Sequence, residues 1–148
     1  MTRSIGVSNF NINRTKKLLK IAKIKPVVGE SYCDARLDGA DITDQVELSI
    51  QCPQPELVAW LKKNDILPCA YSPLGGTAGH DLRENAVVKK IADAHKVQGA
   101  TILLSWLLKR GIVPLPKSVT PSRIEANFKS ESGSPGDMQG VTDPQPST

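Results

Sequence analysis

Leu67-Pro68-Cys69-Ala70-Tyr71-Ser72-Pro73-Leu74-Gly75 is the stretch that decides the fold. A short apolar run, too brief for a helix, enters a compact polar turn containing proline and closed by glycine. The same event occurs three more times. Ser4-Ile5-Gly6-Val7 enters Ser8-Asn9-Phe10, Ile112-Val113-Pro114-Leu115 enters Pro116-Lys117-Ser118, and Val27-Val28 enters Gln45-Val46-Glu47 after an interruption. Helical patterns separate the runs. Strands alternating with helices, with polar residues gathered where strands end, indicate a parallel α/β protein with its site on the carboxyl face of the sheet.

The helical patterns are distinct. Asn11 to Lys23 is amphipathic, with Ile12, Leu18, Leu19 and Ala22 on one side, and Pro26 sends the chain into an extended segment. Pro55 suits the first turn of a second helix, whose stripe of Leu57, Val58 and Leu61 ends near Asn64. Glu84 to His95 gives a third, with Val87, Val88, Ile91 and Ala92 inward. The fourth, Ala100 to Arg110, is apolar nearly all round, which predicts heavy burial, and Gly111 follows as its cap. Thr120-Pro121 opens a fifth, with Thr120 as N-cap and Pro121 at the first helical position. Trp60 and Trp106 read as core, and His95 as helix surface.

The chain has 148 residues and a net charge of +4. That length buries a real core but falls short of the roughly 250 residues of a complete β/α barrel. The lysines fall mostly in helical pairs, Lys16-Lys17, Lys62-Lys63 and Lys89-Lys90, as on solvated faces, and stacking aromatics are scarce, so a nucleic-acid partner is not expected. Cys33, Cys52 and Cys69 lack metal-type spacing, and with only His80 and His95 to join them no zinc set forms. No apolar leader and no membrane-length run is present. The expectation is a reduced cytoplasmic protein without metal or membrane association.

Two stretches break the rhythm. Residues 130–148 are rich in serine, glycine and proline and read as a disordered tail. Gly29 to Thr43 is polar and aperiodic, and it falls inside what should be one buried strand, where insertions are not tolerated. Joining Val28 to Asp44-Gln45-Val46-Glu47-Leu48 restores that strand. The insert also admits splice signals: Gly29-Glu30-Ser31 can be written GGT-GAG-TCN, Ala40-Asp41 GCT-GAC and Thr43-Asp44 ACA-GAY. The expectation is that Gly29 to Thr43 is translated intron and that the early Met1 is likewise a gene-model or truncation artefact.

With the strand joined, the chain resembles the C-terminal half of an aldo-keto reductase, nearest the fungal members. The resemblance rests on Ile5-Gly6-Val7-Ser8-Asn9-Phe10, Gln45-Val46-Glu47-Leu48, Ala70 to Gly75, and Pro116-Lys117-Ser118-Val119-Thr120-Pro121-Ser122-Arg123-Ile124. It covers residues 3 to about 129 apart from the insert. It implies a parallel β/α barrel of TIM type, of which this chain carries strands five to eight with their helices, and NADPH bound in an extended pose. Ser8, Asn9 and Gln45 would hydrogen-bond the nicotinamide carboxamide, which offers both donor and acceptor. Tyr71 would stack on the nicotinamide ring. Ser72 and Leu74 lie on the loop that passes the pyrophosphate. Lys117, Ser118 and Arg123 would hold the 2′-phosphate beside the amino end of the fifth helix. Asn127 would meet the adenine, although Ala126 stands where the family commonly has a glutamate.

Taken singly these residues have plainer readings. Asn9 can cap the helix beginning near Asn11, Tyr71 can be a core aromatic, Gln45 a polar strand end, and Lys117 to Arg123 a solvated helix start. The family order of the four motifs on one face favours the cofactor.

The family's catalytic tyrosine, lysine, aspartate and histidine are placed by the resemblance upstream of Met1, and no residue here matches them. Tyr32 lies in the insert, and Tyr71 has the stacking role. A lone tyrosine keeps a pKa near 10, poorly tuned for proton donation at neutral pH. The expected function is therefore that of an NADPH-dependent oxidoreductase, reducing aldehydes or ketones to alcohols by hydride transfer, represented by its cofactor half. A non-catalytic NADPH-binding or regulatory module and a non-functional truncated product are the alternatives. The strands at Ser4 and Ile112 would be raw parallel edges, inviting self-association: either two copies pair to close a pseudo-barrel or, as the insert breaking the Val27 to Leu48 strand favours, the chain is marginal and aggregates.

Overall fold

The computed structural model describes residues 3–31, 48–75 and 82–130. The elements follow the expected alternation: β1 (Gly6–Ser8), α1 (Ile12–Ile21), β2 (Val28–Ser31), α2 (Pro55–Lys63), β3 (Leu67–Tyr71), a 3₁₀ turn (Leu82–Glu84), α3 (Ala86–His95), α4 (Gly99–Lys109), β4 (Val113–Leu115) and α5 (Pro121–Lys129). The strands form one sheet in the order β1-β2-β3-β4, with every pairing parallel. Consecutive parallel strands joined by helical crossovers make four β/α units, half of an eightfold barrel. Among the described residues β1 and β4 are the open edges, as expected.

The helix boundaries have local causes. The Asn11 side chain accepts from the Arg14 N–H and caps α1, so α1 starts after Asn11 rather than on it. Asn85 does the same for α3 through the Val87 and Val88 N–H groups, which separates α3 from the 3₁₀ turn over Glu84. Gly111 takes φ +60° just after α4, the left-handed turn that glycine makes without a Cβ penalty.

Sheet and helices meet on one face. Ala70 and Gly29 point toward the helices: Ala70 is fully buried in the main core, and a Cβ on Gly29 would lie 3.0 Å from Leu61 and 3.3 Å from Ile66. The main core joins Val58, Leu82, Val88, Ile102, Leu103, Trp106, Leu107 and Ile112. Residues 102–107 of α4 are all buried, in line with its apolar circumference. Arg110 lies 4.6 Å over the Trp106 ring and donates to the Pro53 carbonyl, while Lys62 donates to the Arg110 carbonyl. Trp60 sits at the margin of a smaller cluster of Leu57, Leu61 and Ile66, and His95 is exposed. On the opposite face Leu67, Tyr71 and Leu115 are exposed.

Three details differ from the sequence reading. β2 does not stop at Val28 but continues through Gly29, Glu30 and Ser31, the first residues of the supposed insert. The ladder between β1 and β3 needs backbone donors and acceptors there, and any residue supplies them. Asp44 to Glu47, the expected continuation, lie outside the described residues, and Leu48 is fully buried in non-strand backbone. Ser130, assigned to the tail, belongs to the fold: it is buried, and its carbonyl accepts from the Ser105 hydroxyl at 3.0 Å. Residues 131–148 lie outside the described residues. Cys69 is buried and forms no disulfide, whereas Cys52 is disulfide-bonded, against the expectation of reduced cysteines; pairing depends on spatial approach that residue spacing does not reveal. No described helix is long and apolar enough to cross a membrane.

Candidate functional site

Because all the pairings are parallel, the carboxyl ends of the strands share one edge of the sheet. Ser8 ends β1, Tyr71 ends β3, and Lys117 and Ser118 follow β4. Neighbouring strands lie about 4.8 Å apart, so the ends of β1 and β4 are separated by roughly 14 Å along that edge. The expected carboxamide contacts Ser8 and Asn9 stand at one end of this row, Tyr71 two strands along it, and the expected phosphate contacts at the other end.

Two of the strand ends carry unusual backbone. Asn9 (φ 62°) and Ser72 (φ 48°) both follow a strand terminus in the left-handed region that non-glycine residues rarely enter. Such conformations cluster where a site dictates backbone direction. The Arg14 guanidinium donates to the Asn9 carbonyl at 3.4 Å, and the Gly75 N–H donates to the Ser72 carbonyl at 3.1 Å. Asn9 does not cap α1, since Asn11 does. Ser8 and Asn9 are exposed, Ser72 is half-buried, and the Tyr71 ring sits at the rim of the open sheet face, level with Leu115 in the ladder. Gln45 lies outside the described residues.

Beyond β4 a cleft of about 390 Å³ gathers Leu74, Lys117, Ser118, Arg123 and Asn127, half of the residues singled out from sequence. Ser8, Asn9, Tyr71 and Ser72 are not part of its lining. The start of α5 forms one wall. Thr120 takes the N-cap position, but its side chain makes no capping bond; the hydroxyl of Ser118 instead accepts from the Thr120 N–H at 3.2 Å. That leaves the Ser118 hydroxyl hydrogen free to donate outward. The far end of α5 is tied down. Ser105 donates to the Ser130 carbonyl, Ser130 donates to the Asn127 carbonyl at 2.5 Å, and Lys129 pairs with Glu125 at 2.6 Å.

Four cationic side chains (Arg83, Lys89, Lys117 and Arg123) and two acidic ones (Glu84 and Asp93) line the cleft. Glu84 is engaged with Lys89 at 2.5 Å, and its hydrogen bond and charge raise the Lys89 pKa above the ordinary lysine value. The cationic excess beside an exposed helix start suits a phosphate dianion. A guanidinium, an ammonium, a hydroxyl and two carboxamides in a cleft whose lining is only partly apolar also suit the rest of a phosphorylated nucleotide. The chain's own residues therefore fit the cofactor that the sequence suggests.

Arg83, Gln98, Gly99 and Ala100 also line the cleft and went unnoticed in the sequence. These residues lie at the joint between the 3₁₀ turn and the two following helices, where no periodicity marks them. The only local signal was a polar residue before glycine at the start of a long apolar helix.

The sequence matches the Aldo/keto reductase family model over residues 1–135. It is 43% identical to a glycerol 2-dehydrogenase (NADP(+)) of Hypocrea jecorina, over 95% of this chain and 41% of that protein. It is 39% identical to the aldehyde reductase YPR1 of Saccharomyces cerevisiae, over 86% of this chain and 36% of that protein. Among solved structures it resembles an aldose reductase from Giardia lamblia, with a TM-score of 0.75 and 32% identity over 94% of this chain and 43% of that one. It also resembles an aldo-keto reductase complexed with NADPH, with a TM-score of 0.73 and 26% identity over 95% of this chain and 40% of that one. The chain spans about two-fifths of the length of these curated relatives.

Proposed function

The chain belongs to the aldo/keto reductase family, and on that premise we propose that it carries the NADPH-binding half of an oxidoreductase that reduces aldehydes or ketones to alcohols. The observation that carries this reading is the cleft joining Leu74, Lys117, Ser118, Arg123 and Asn127. When bound, NADPH supplies the hydride that reduces the carbonyl. Lys117, Ser118 and Arg123 hold the 2′-phosphate, and Asn127 meets the adenine. Leu74 and Ser72 border the pyrophosphate, Tyr71 stacks on the nicotinamide, and Ser8 and Asn9 bond its carboxamide. The names of an NADP(+) dehydrogenase relative and an NADPH-complexed structural neighbour support the choice of cofactor.

The strand register supports a further part of the reading. Glu30 of β2 stands level with Ser8 in the ladder. If residues 29–43 are removed, Asp44 takes the place of Gly29 and Gln45 that of Glu30, so Gln45 falls beside Ser8. Both expected carboxamide contacts then share one row of the sheet. We propose that the form without residues 29–43 is the one that completes the nicotinamide end.

Tyr71 is assigned to stacking, and no other residue here matches a proton donor, so this polypeptide by itself is expected to bind NADPH without turnover. Titration of NADPH and NADH followed by cofactor fluorescence tests the binding. Tighter binding of NADPH is expected, and equal affinities or none would contradict it. Consumption of NADPH with a small aldehyde, clearly above that of Tyr71→Phe, would contradict the lack of turnover. The edges of β1 and β4, open among the described residues, and the exposed Leu67 on β3 and Leu115 on β4 support self-association of two copies. Sedimentation would show a dimer if this holds and a monomer at all concentrations if it does not.

A further inference from the structure

Three residues with a hydroxyl side chain stand directly before a proline: Ser72, Thr120 and Ser134. Only Thr120 is followed by a basic residue at the third position, in Thr120-Pro121-Ser122-Arg123. A hydroxyl ahead of proline, with a cation two residues beyond, is the pattern that proline-directed protein kinases accept. Proline brings no N–H that the kinase groove would have to satisfy, and the cation meets acidic groups on the kinase.

The Thr120 hydroxyl is open to such an enzyme. Thr120 and the three residues after it are exposed. Thr120 takes the N-cap position of α5 in extended backbone (φ −94°, ψ 118°), and its side chain makes no capping bond. A kinase binds its substrate stretched out, so Pro121 to Arg123 must leave the helix. No residue of α5 itself is buried, and its first turn is closed by the Arg123 and Ile124 N–H groups, each 3.0 Å from the Thr120 carbonyl. An exposed terminal turn of this kind opens at little cost. The tie to the core, from the Ser105 hydroxyl to the Ser130 carbonyl, lies beyond the other end of the helix.

A phosphate on Thr120 would arrive among the residues assigned to the cofactor's 2′-phosphate. The Thr120 N–H donates to the Ser118 hydroxyl at 3.2 Å, and its carbonyl accepts from Arg123, so Thr120 links two residues that line the cleft. Glu125, the one carboxylate on α5, is engaged by Lys129. Phosphothreonine carries about two negative charges and is favoured both by a helix start and by a nearby guanidinium.

We propose that Thr120 is a phosphorylation site, and that phosphothreonine there takes over Lys117, Ser118 and Arg123 and turns NADPH binding off. The Thr120 hydroxyl oxygen attacks the γ-phosphorus of ATP held by the kinase. The bond from that phosphorus to the β–γ bridging oxygen breaks, ADP leaves, and the hydroxyl proton passes to a carboxylate of the kinase. The acceptor site stands on the sequence pattern and the exposed, uncapped hydroxyl, whereas its effect on binding rests on the cofactor reading above. Two phosphate dianions compete for one set of cations, so the modified chain repels the 2′-phosphate.

The test treats the full chain and Thr120→Ala with a cyclin-dependent protein kinase and magnesium ATP. Peptide mass spectrometry locates the phosphate, and NADPH and NADH are titrated by fluorescence before and after treatment. Phosphate should appear on Thr120 and weaken NADPH at least about tenfold, the worth of one charge-assisted hydrogen bond, with NADH almost unchanged. Thr120→Ala should keep the same NADPH affinity before and after treatment. Amide exchange in the first turn of α5 should slow in the modified chain, because the phosphate caps the helix. No phosphate on Thr120 of the folded chain would overturn the site. Phosphate on Thr120 with NADPH binding unchanged, or with NADPH and NADH weakened alike, would overturn the switch. Equal affinities of the untreated chain for the two cofactors would sink the cofactor reading and the switch with it, while the mass measurement still decides the acceptor site.

Discussion

Replacing Arg123 by methionine should weaken NADPH binding about tenfold and leave NADH almost untouched. Arg123 lies in the first turn of α5, exposed, in the cleft that also holds Lys117 and Ser118. A hydrogen bond to a charged partner contributes about 1.5–3 kcal/mol, and solvent at an exposed site moves the value to the low end of that range. About 1.4 kcal/mol is a factor of ten in affinity. Lys117 and Ser118 remain, so binding should not vanish. Methionine keeps helix propensity close to that of arginine, and the fold relies on the Arg123 N–H bond to the Thr120 carbonyl rather than on the guanidinium. Fluorescence titrations of both cofactors at low and high salt give the answer. The NADPH affinity of the wild type should fall with ionic strength, and that of Arg123→Met should fall less steeply. Equal weakening of NADPH and NADH, or no change for NADPH, would refute the assignment of this cleft to the 2′-phosphate.

Leu107→Ala removes a fully buried side chain from the middle of the main core and should cost about 3 kcal/mol in a denaturant titration; a loss below about 1 kcal/mol would mean that α4 is not the central packing element. Gly99→Ala should be destabilising by about 1–2 kcal/mol, because the new Cβ would meet a backbone oxygen at 2.9 Å and the strain exceeds the gain in helix propensity. A raised melting temperature in that variant would contradict the close approach. NADPH affinity should decline as pH falls through about 6, where a phosphate monoester takes up its second proton and loses charge. NADH, lacking that phosphate, should show no such decline, and parallel titration of the two cofactors checks it.

The alternation of strands and helices was legible because proline, glycine and apolar spacing mark each boundary. Pro55 does open α2, Gly111 does close α4, and Pro121 does follow the N-cap of α5. The apolar circumference of Ala100 to Arg110 correctly signalled burial. Side-chain caps were less readable: Asn11 rather than Asn9 caps α1, and Thr120 occupies the N-cap of α5 without using its hydroxyl. Both choices depend on backbone direction at the strand end, which residue type alone does not set. The extension of β2 through Ser31 was missed for a related reason, since a ladder accepts any backbone amide and polarity is a poor guide to a strand end. That Lys117, Ser118 and Arg123 share one cleft was legible because they fall within seven residues. That Gln98 also lines it was not, because tertiary contact across Gly99 assembles that part.

The central claim is that NADPH lies along the carboxyl edge of the sheet, with its phosphorylated end against α5. Amide hydrogen exchange of the full chain with and without NADPH tests it most directly. Protection should rise over residues 116–124, where Lys117, Ser118 and the open first turn of α5 lie, and at the strand ends around Ser8–Asn9 and Tyr71–Ser72. Exchange unchanged at residues 116–124 under saturating NADPH, or protection confined to α1 and α2, would contradict the account.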